Sequence, residues 1–318
     1  MDRNYLYIAG EKRLGVGNDD ALIYKCDKDG NLVWDKTWGD SGDDVATSVV
    51  LDSFNIYLVG YTTHSSLDYD TFLVKYDLNG NFIWSKTWGS NLSEMAYSVV
   101  VDKTSIYVAG GILDEHKNDE YSFVLKYDKN GTLLWNKTWS DSCATAISVD
   151  DTNIYVTGLL RLGKVNSNFN VFIYKYDKNG TELWNKSWDG SQNDRAYSIQ
   201  MDDTNIYLTG WTNCNGFYSD ALILKYDKDG NHIWNKTWGG EKSDFAASIA
   251  LDDGDMYICG GTENNSSGNT DLFILKGNIN GSGSVIEHVL FLLPIGFIIA
   301  IFIIIRKKDK INSHRQGF

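Results

Sequence analysis

The chain has 318 residues with a single proline, 30 glycines, 14% aromatic residues and a formal net charge of −13. Five of its 29 basic residues and one of its 42 acids lie in 306–318, which leaves 24 against 41, a net −17, for the rest. So acidic a surface repels nucleic acid and anionic lipid, and it excludes a nucleic-acid partner while suiting cations or basic proteins.

The opening Asn4-Tyr-Leu-Tyr-Ile-Ala-Gly10 is a strand signature that returns at Asn55–Gly60, Ser105–Gly110, Asn153–Gly158, Asn205–Gly210 and Asp255–Gly260. With no basic or apolar leader before it, no signal peptide is expected here. The next segment, Lys25–Trp38, recurs as Lys75–Trp88, Lys126–Trp139, Lys175–Trp188 and Lys225–Trp238, with a clipped copy from Lys276. Its first tryptophans are Trp34, Trp84, Trp135, Trp184 and Trp234, a period of 49 to 51 residues that marks an array of supersecondary units. Tyr-Asp-x-Asn/Asp-Gly between two apolar runs predicts a hairpin turn, with glycine supplying the positive φ. Period-two alternation in Phe72–Tyr76 and Phe82–Trp88 predicts the flanking strands. Trp84, Lys86 and Trp88 fall on one face, a geometry for a cation–π contact of about 0.5–2 kcal/mol. Asp27 and Asp29, like Asp227 and Asp229, imitate a calcium loop, but the twelfth position from Asp27 is Trp38, so the bidentate glutamate is missing. A plain turn is the better reading.

Each unit holds four strands: one like Ala96–Asp102, the Ile-Tyr-Val-Ala-Gly strand, the Phe-x-x-Lys-Tyr-Asp strand and the Trp strand. Four strands per repeat around an axis predict an all-β propeller. Blades converge at the hub, so Ala46/Ser48, Ala96/Ser98, Ala144/Ala146, Ala196/Ser198 and Ala246/Ser248 suit the inner strand, and the paired indoles the outer one. Ala-Tyr-Ser-Val-Val-Val-Asp, Ile-Tyr-Val-Ala-Gly, Lys-Tyr-Asp-x-Asn-Gly and Trp-Ser-Lys-Thr-Trp-Gly together resemble the SBBP β-propeller repeat, from residue 4 to about 280. The resemblance implies a surface or secreted protein of bacteria or archaea and carries no catalytic motif.

The second and third strands occur six times, the inner and outer ones five. About six blades are therefore expected, the first lacking its inner strand and the last its outer one. One upstream segment would supply both, which suggests a longer gene; a stop codon directly before Met1 would dismiss that idea. The expected domains are the repeats at 1–276, a Gly/Ser/Asn linker at 277–284, a transmembrane helix at 285–305 and a basic tail at 306–318. Arg306-Lys-Lys-Asp-Lys310 places that tail in the cytoplasm and the propeller outside; a tail-anchored cytosolic propeller is the alternative. Asn-x-Ser/Thr sequons at Asn91, Asn130, Asn136, Asn179, Asn185, Asn235, Asn264, Asn265 and Asn280 would permit glycans.

Candidate sites are few. Asp44, Glu94, Asp194 and Asp244 each lie two residues before the inner-strand alanine. They would gather at one channel mouth, as a calcium site or simply as loop caps. Among the variable loops between second and third strands, Trp211, Phe217 and Tyr218 make one aromatic, a contact for protein or glycan. The six repeated lysines, Lys25 to Lys276, read as structural partners inside each blade. Cys26, Cys143, Cys214 and Cys259 form neither a C-x-x-C pair nor a repeated spacing, which leaves zinc and disulfides unsupported. The expected function is a membrane-anchored cell-surface propeller for binding, adhesion or envelope scaffolding, without cofactor and not an enzyme. The alternative is an extracellular enzyme or cofactor- or metal-binding propeller with its site at the channel mouth.

Overall fold

The computed structural model describes residues 4–15, 18–65, 68–163, 168–190, 192–213, 218–263, 270–279 and 288–292. They form six antiparallel sheets, each wound from the hub outwards. The first holds β1 (Tyr5–Gly15), β2 (Asn18–Asp27) and β3 (Leu32–Trp38); the second β4 (Asp44–Leu51), β5 (Asn55–Ser65), β6 (Asp68–Asp77) and β7 (Phe82–Trp88). The third holds β8 (Ser93–Val101), β9 (Ser105–Asp114), β10 (Asp119–Asp128) and β11 (Leu133–Ser140); the fourth β12 (Ser142–Val149), β13 (Asn153–Arg161), β14 (Phe169–Asp177) and β15 (Glu182–Trp188). The fifth holds β16 (Asp194–Met201), β17 (Asn205–Thr212), β18 (Asp220–Asp227) and β19 (His232–Trp238); the sixth β20 (Asp244–Asp252), β21 (Asp255–Glu263), β22 (Thr270–Asn278) and β23 (His288–Leu292). This is the expected six-bladed propeller, with the tryptophan strands outermost.

Two expectations change at the last blade. Its outer position is filled, because β23 pairs with β22 from Leu272↔Leu292 to Lys276↔His288. Those residues lie inside the run expected to be a membrane helix, whose remainder is outside the described residues. Among the described residues no helix is long and apolar enough to cross a membrane. Backbone pairing explains the strand: without it the outer edge of β22 has no ladder partner. The expected variable loops also shrink, since the second and third strands run on as long hairpins; β9 and β10 pair out to Asp114↔Asp119.

Turn chemistry sets the outer hairpins. The Asp77 carboxylate accepts the Asn79 and Asn81 amides at 2.8 and 2.9 Å, and Gly80 takes φ 81°. Five clusters of buried side chains occupy the junctions between consecutive blades. Each joins a tryptophan-strand face to the next blade: Trp38 packs on Phe72 at 4.5 Å, Trp88 on Phe123 at 4.9 Å and Trp238 on Phe273 at 4.5 Å between ring centres. Such pairs add about 0.5–1.5 kcal/mol beyond the area they bury.

The repeated lysines act both inside and between blades: Lys276 Nζ pairs with Asp255 Oδ2 of its own blade at 2.8 Å, as expected, while others reach the next blade. Lys25 Nζ donates to Leu78 O at 3.0 Å, Lys75 to Lys129 O at 2.8 Å, Lys126 to Lys178 O at 2.7 Å and Lys175 to Lys228 O at 2.9 Å. These lysines also supply the cation–π contacts expected of Lys86: Lys75 Nζ lies 5.5 Å from the Tyr57 ring and 5.8 Å from Trp84. Lys86 instead packs its stem beside the Gly131 turn of the next blade.

Candidate ligand site at the channel mouth

Every inner strand carries a bulge that turns one residue out of register, at Thr47, Tyr97, Thr145, Tyr197 and Ala247. Thr47 and Thr145 use it as scaffolding, donating to Ala96 O and Ala196 O of the next blade at 2.7 Å each. Tyr97 and Tyr197 do something else. The Tyr197 hydroxyl accepts from Trp211 Nε1 at 3.0 Å, its ring meets Phe245 edge-on at 6.4 Å, and the Arg195 guanidinium lies over it at 5.1 Å. Cys143 and Tyr97 both crowd the space above Gly111, and the Tyr97 hydroxyl is driven far up by burial.

Charge makes this mouth unlike the rest of the ring. The inner-strand position before the alanine reads Val45, Met95, Cys143, Arg195 and Phe245, so one blade alone places a cation there. Arg195 Nε is buried and has no hydrogen-bond partner. Arg161, at the end of β13, donates from Nε to Glu120 Oε2 at 2.9 Å. Both guanidinium groups and Glu120 act on Cys143, whose thiol burial nonetheless pushes up to about 11. A nucleophilic thiolate is thereby excluded at neutral pH. Glu120 and Arg161 also line an adjoining cavity of about 460 Å³ with Lys117, Asp119 and Asp141. The chemistry on offer is a guanidinium backed by tyrosine and indole rings, which suits an anionic group carried on an apolar or planar body.

The residues expected from sequence are placed as follows. Asp44, Glu94, Asp194 and Asp244 do share the loop-bearing end of the blades, but each turns back on its own crossover. Asp44 Oδ2 accepts from Asp40 N at 3.1 Å, Glu94 Oε2 from Ser90 N at 3.2 Å, Asp194 Oδ2 from Gly190 N at 2.6 Å and Asp244 Oδ2 from Gly240 N at 2.8 Å. Burial raises Asp44, Glu94 and Asp194 above the usual carboxylate range, and neighbouring acids, Asp20 beside Asp44 and Asp70 beside Glu94, raise them further. Among the described residues no group of three or more His, Cys, Asp or Glu could hold a metal. Trp211 belongs to the mouth, and its ring also meets Phe169 at 5.9 Å. Tyr218 lies apart under Lys242 Nζ at 4.8 Å, and Phe217 is outside the described residues. Arg161, Arg195, Tyr97 and Tyr197 escaped the sequence reading. The signal was there for Arg195, which departs from Val45, Met95, Cys143 and Phe245 at its repeat position, whereas Arg161 matches Arg13 and Tyr97 matches Tyr197.

No curated protein sequence matches the chain. Among solved structures, hydrazine synthase of Kuenenia stuttgartiensis is similar at a TM-score of 0.54 and 11% identity, over 81% of this chain and 73% of that one. A Synechocystis apocarotenoid oxygenase variant is similar at 0.50 and 10%, over 89% and 71%. Identities this low speak for the fold alone. They still overturn the expectation that the chain is not an enzyme, since that expectation rested on a propeller without a recognisable catalytic motif, and enzymes are built on this architecture. A family model matches residues 19–209 and again 121–275, well over half of the sequence. The chain therefore belongs to the β-propeller family described as outer membrane protein assembly factor BamB.

Proposed function

We propose that this protein is an envelope-associated binding platform that holds a polypeptide partner at the loop-side mouth of its channel. The contact point is a carboxylate of the partner on Arg195, with its flanking apolar part on Tyr197 and Trp211. The observation that carries the reading is the break in symmetry before the inner-strand alanine: Val45, Met95, Cys143 and Phe245 hold that place in four blades, and in the fifth it is a cation, Arg195, lying over the bulge tyrosine Tyr197. Scaffolding repeats, whereas a recognition site has one address. Arginine, tyrosine and tryptophan, here half-buried, are also the residues that dominate binding energy in interfaces. The family's description, as an assembly factor, agrees with a platform role. Surface display of an SBBP-type repeat, with the apolar run 285–305 in the membrane and the basic tail inside, completes the proposal.

The test is a panel of short acidic, neutral and basic peptides titrated against the purified full chain. Acidic peptides with an adjacent aromatic residue should bind best, and Arg195→Ala should weaken them about tenfold or more, as expected for an anchoring charge. Equal binding of all three classes, or an Arg195→Ala variant that binds as well as the parent, would dismiss the reading.

A further inference from the structure

Five crossovers join an outer strand to the inner strand of the next blade, and one of them is short. The last tryptophan and the inner alanine stand eight residues apart at Trp38/Ala46, Trp88/Ala96, Trp188/Ala196 and Trp238/Ala246, but five apart at Trp139/Ala144. Two residues before the alanine, where Asp44, Glu94, Asp194 and Asp244 cap the long crossovers, the short one has Ser142, whose hydroxyl meets Ser122 Oγ at 2.8 Å. The missing turn leaves the cavity of about 460 Å³ beside the mouth, lined by Lys117 to Glu120 of the β9–β10 hairpin, Asp141 of the crossover and Arg161. We propose that this cavity takes the cationic side chain of a lysine or arginine that lies two residues from the carboxylate held by Arg195. The inference rests on the Arg195 reading and adds a second, opposite charge to the partner.

The walls are fixed by the chain itself. Arg161 N donates to Asp141 O at 2.7 Å, which ties the start of the fourth blade's second hairpin to the crossover. Asn118 and Asp141 take φ 55° and 59°, two of the three non-glycine residues in the left-handed region among those described. Asparagine and aspartate tolerate that region, and such strain collects at sites of function.

Charge selects the occupant. Both cations of the lining are already committed, Arg161 Nε to Glu120 Oε2 and Lys117 Nζ to Asp114 Oδ2, each at 2.9 Å. Asp119 and Asp141 form no ion pair among the described residues. With Asp114 counted, four acids meet two cations, a surplus of two negative charges that a guest ammonium or guanidinium would neutralise. The volume suits a long side chain. Arg195 is close at hand: Cys143, the residue after Ser142, feels Arg195, Arg161 and Glu120 together. In an extended peptide, side chains two residues apart share a face and lie about 7 Å from one another, so one strand can reach both places.

The experiment titrates the full chain with two end-blocked peptides that differ at one position, Asp-Phe-Lys and Asp-Phe-Gln. At low salt the lysine peptide should bind about three- to fivefold more tightly, a preference that shrinks as salt is added. In Asp119→Asn/Asp141→Asn, whose asparagine suits the left-handed backbone at 141, the ratio should fall to about one. Arg195→Ala separates this inference from the reading beneath it: both peptides should weaken together while their ratio persists. The inference is overturned if the parent binds both peptides alike, or if the ratio survives in the double variant. If Arg195→Ala binds both as well as the parent, the carboxylate reading falls, and a ratio lost only in the double variant still supports the cavity as a cation site. If neither peptide binds the parent, both fall.

Discussion

Replacing Asp102 by alanine removes the keystone of one blade junction, and the repeats contain their own control. The Asp102 carboxylate accepts the Thr104 and Ser105 amides at 2.9 and 2.8 Å, the Tyr107 hydroxyl at 2.9 Å and Lys178 Nζ of the next blade at 3.0 Å. Burial opposes its charge, yet these donors hold it well below the usual carboxylate range. The turn amides can turn to water, so their loss costs about 0.5–1 kcal/mol. The Tyr107 ring is completely buried, and stranding its hydroxyl costs about 1.5–2 kcal/mol more. The ion pair, with both side chains about one-fifth exposed, adds about 0.5–1 kcal/mol. Asp102→Ala should therefore lose about 2.5–4 kcal/mol. At Asp202 the same turn and tyrosine recur, with Tyr207 OH at 2.8 Å, but the following blade offers no lysine there. Asp202→Ala should accordingly lose less by the value of the ion pair, and Lys178→Met should remove that difference. Urea denaturation of the three variants measures all of these terms. If Lys178→Met costs as much as Asp102→Ala, the tyrosine bond is worthless and the reasoning fails.

Three further outcomes follow from the same geometry. Gly60→Ala pushes a methyl into the Val45 carbonyl and within 2.8 Å of Phe72 Cζ, and should cost about 1–3 kcal/mol by thermal melting, more if the backbone cannot yield. The pH dependence should show a maximum in mild acid. Asp44, Glu94 and Asp194 have raised folded values, so stability grows as pH falls through them. Asp52, held down to about 2 by the Phe54 amide, Tyr57 and Lys129 against its burial, loses its contribution between pH 4 and 2, and Asp102 and Asp150, also held low, lose theirs as the pH falls further through their folded values. A melting temperature that falls steadily from pH 7 to 4 would contradict this. Cys143 should resist a thiol reagent at pH 7.5 in the folded chain and react on unfolding.

What the sequence made legible is whatever the fold repeats. Trp84 and Trp88, Ala96 and Ser98, and the Asp77–Gly80 turn each appear in several copies, so strand type, radial order and blade count could be read without coordinates. The candidate site was illegible for the converse reason. Arg195 occupies a position held elsewhere by Val45, Met95 and Phe245, and its proximity to Tyr197, Trp211 and Cys143 depends on bulges that no periodicity reveals. The four carboxylates offered two readings, a calcium site or loop caps, and their contacts are those of loop caps. Their spacing correctly put them on one end of the ring, but each spends an oxygen on the amide four residues before it, a local bond that sequence distance alone could have suggested.

One segment can satisfy two physical demands but not both at once. The run 285–305 extends about 31 Å as a helix, enough for a hydrocarbon core of about 30 Å. With His288–Leu292 committed to the sheet, the 13 residues left at 293–305 extend only about 20 Å. Insertion therefore requires β23 to leave β22, and the sixth blade then loses its outer strand. In aqueous solution the outward amides of Leu272–Lys276 should be protected from hydrogen exchange by β23. In lipid vesicles that protection should vanish as 285–305 inserts. Unchanged protection in vesicles with 285–305 inserted would show that the helix does not compete with β23.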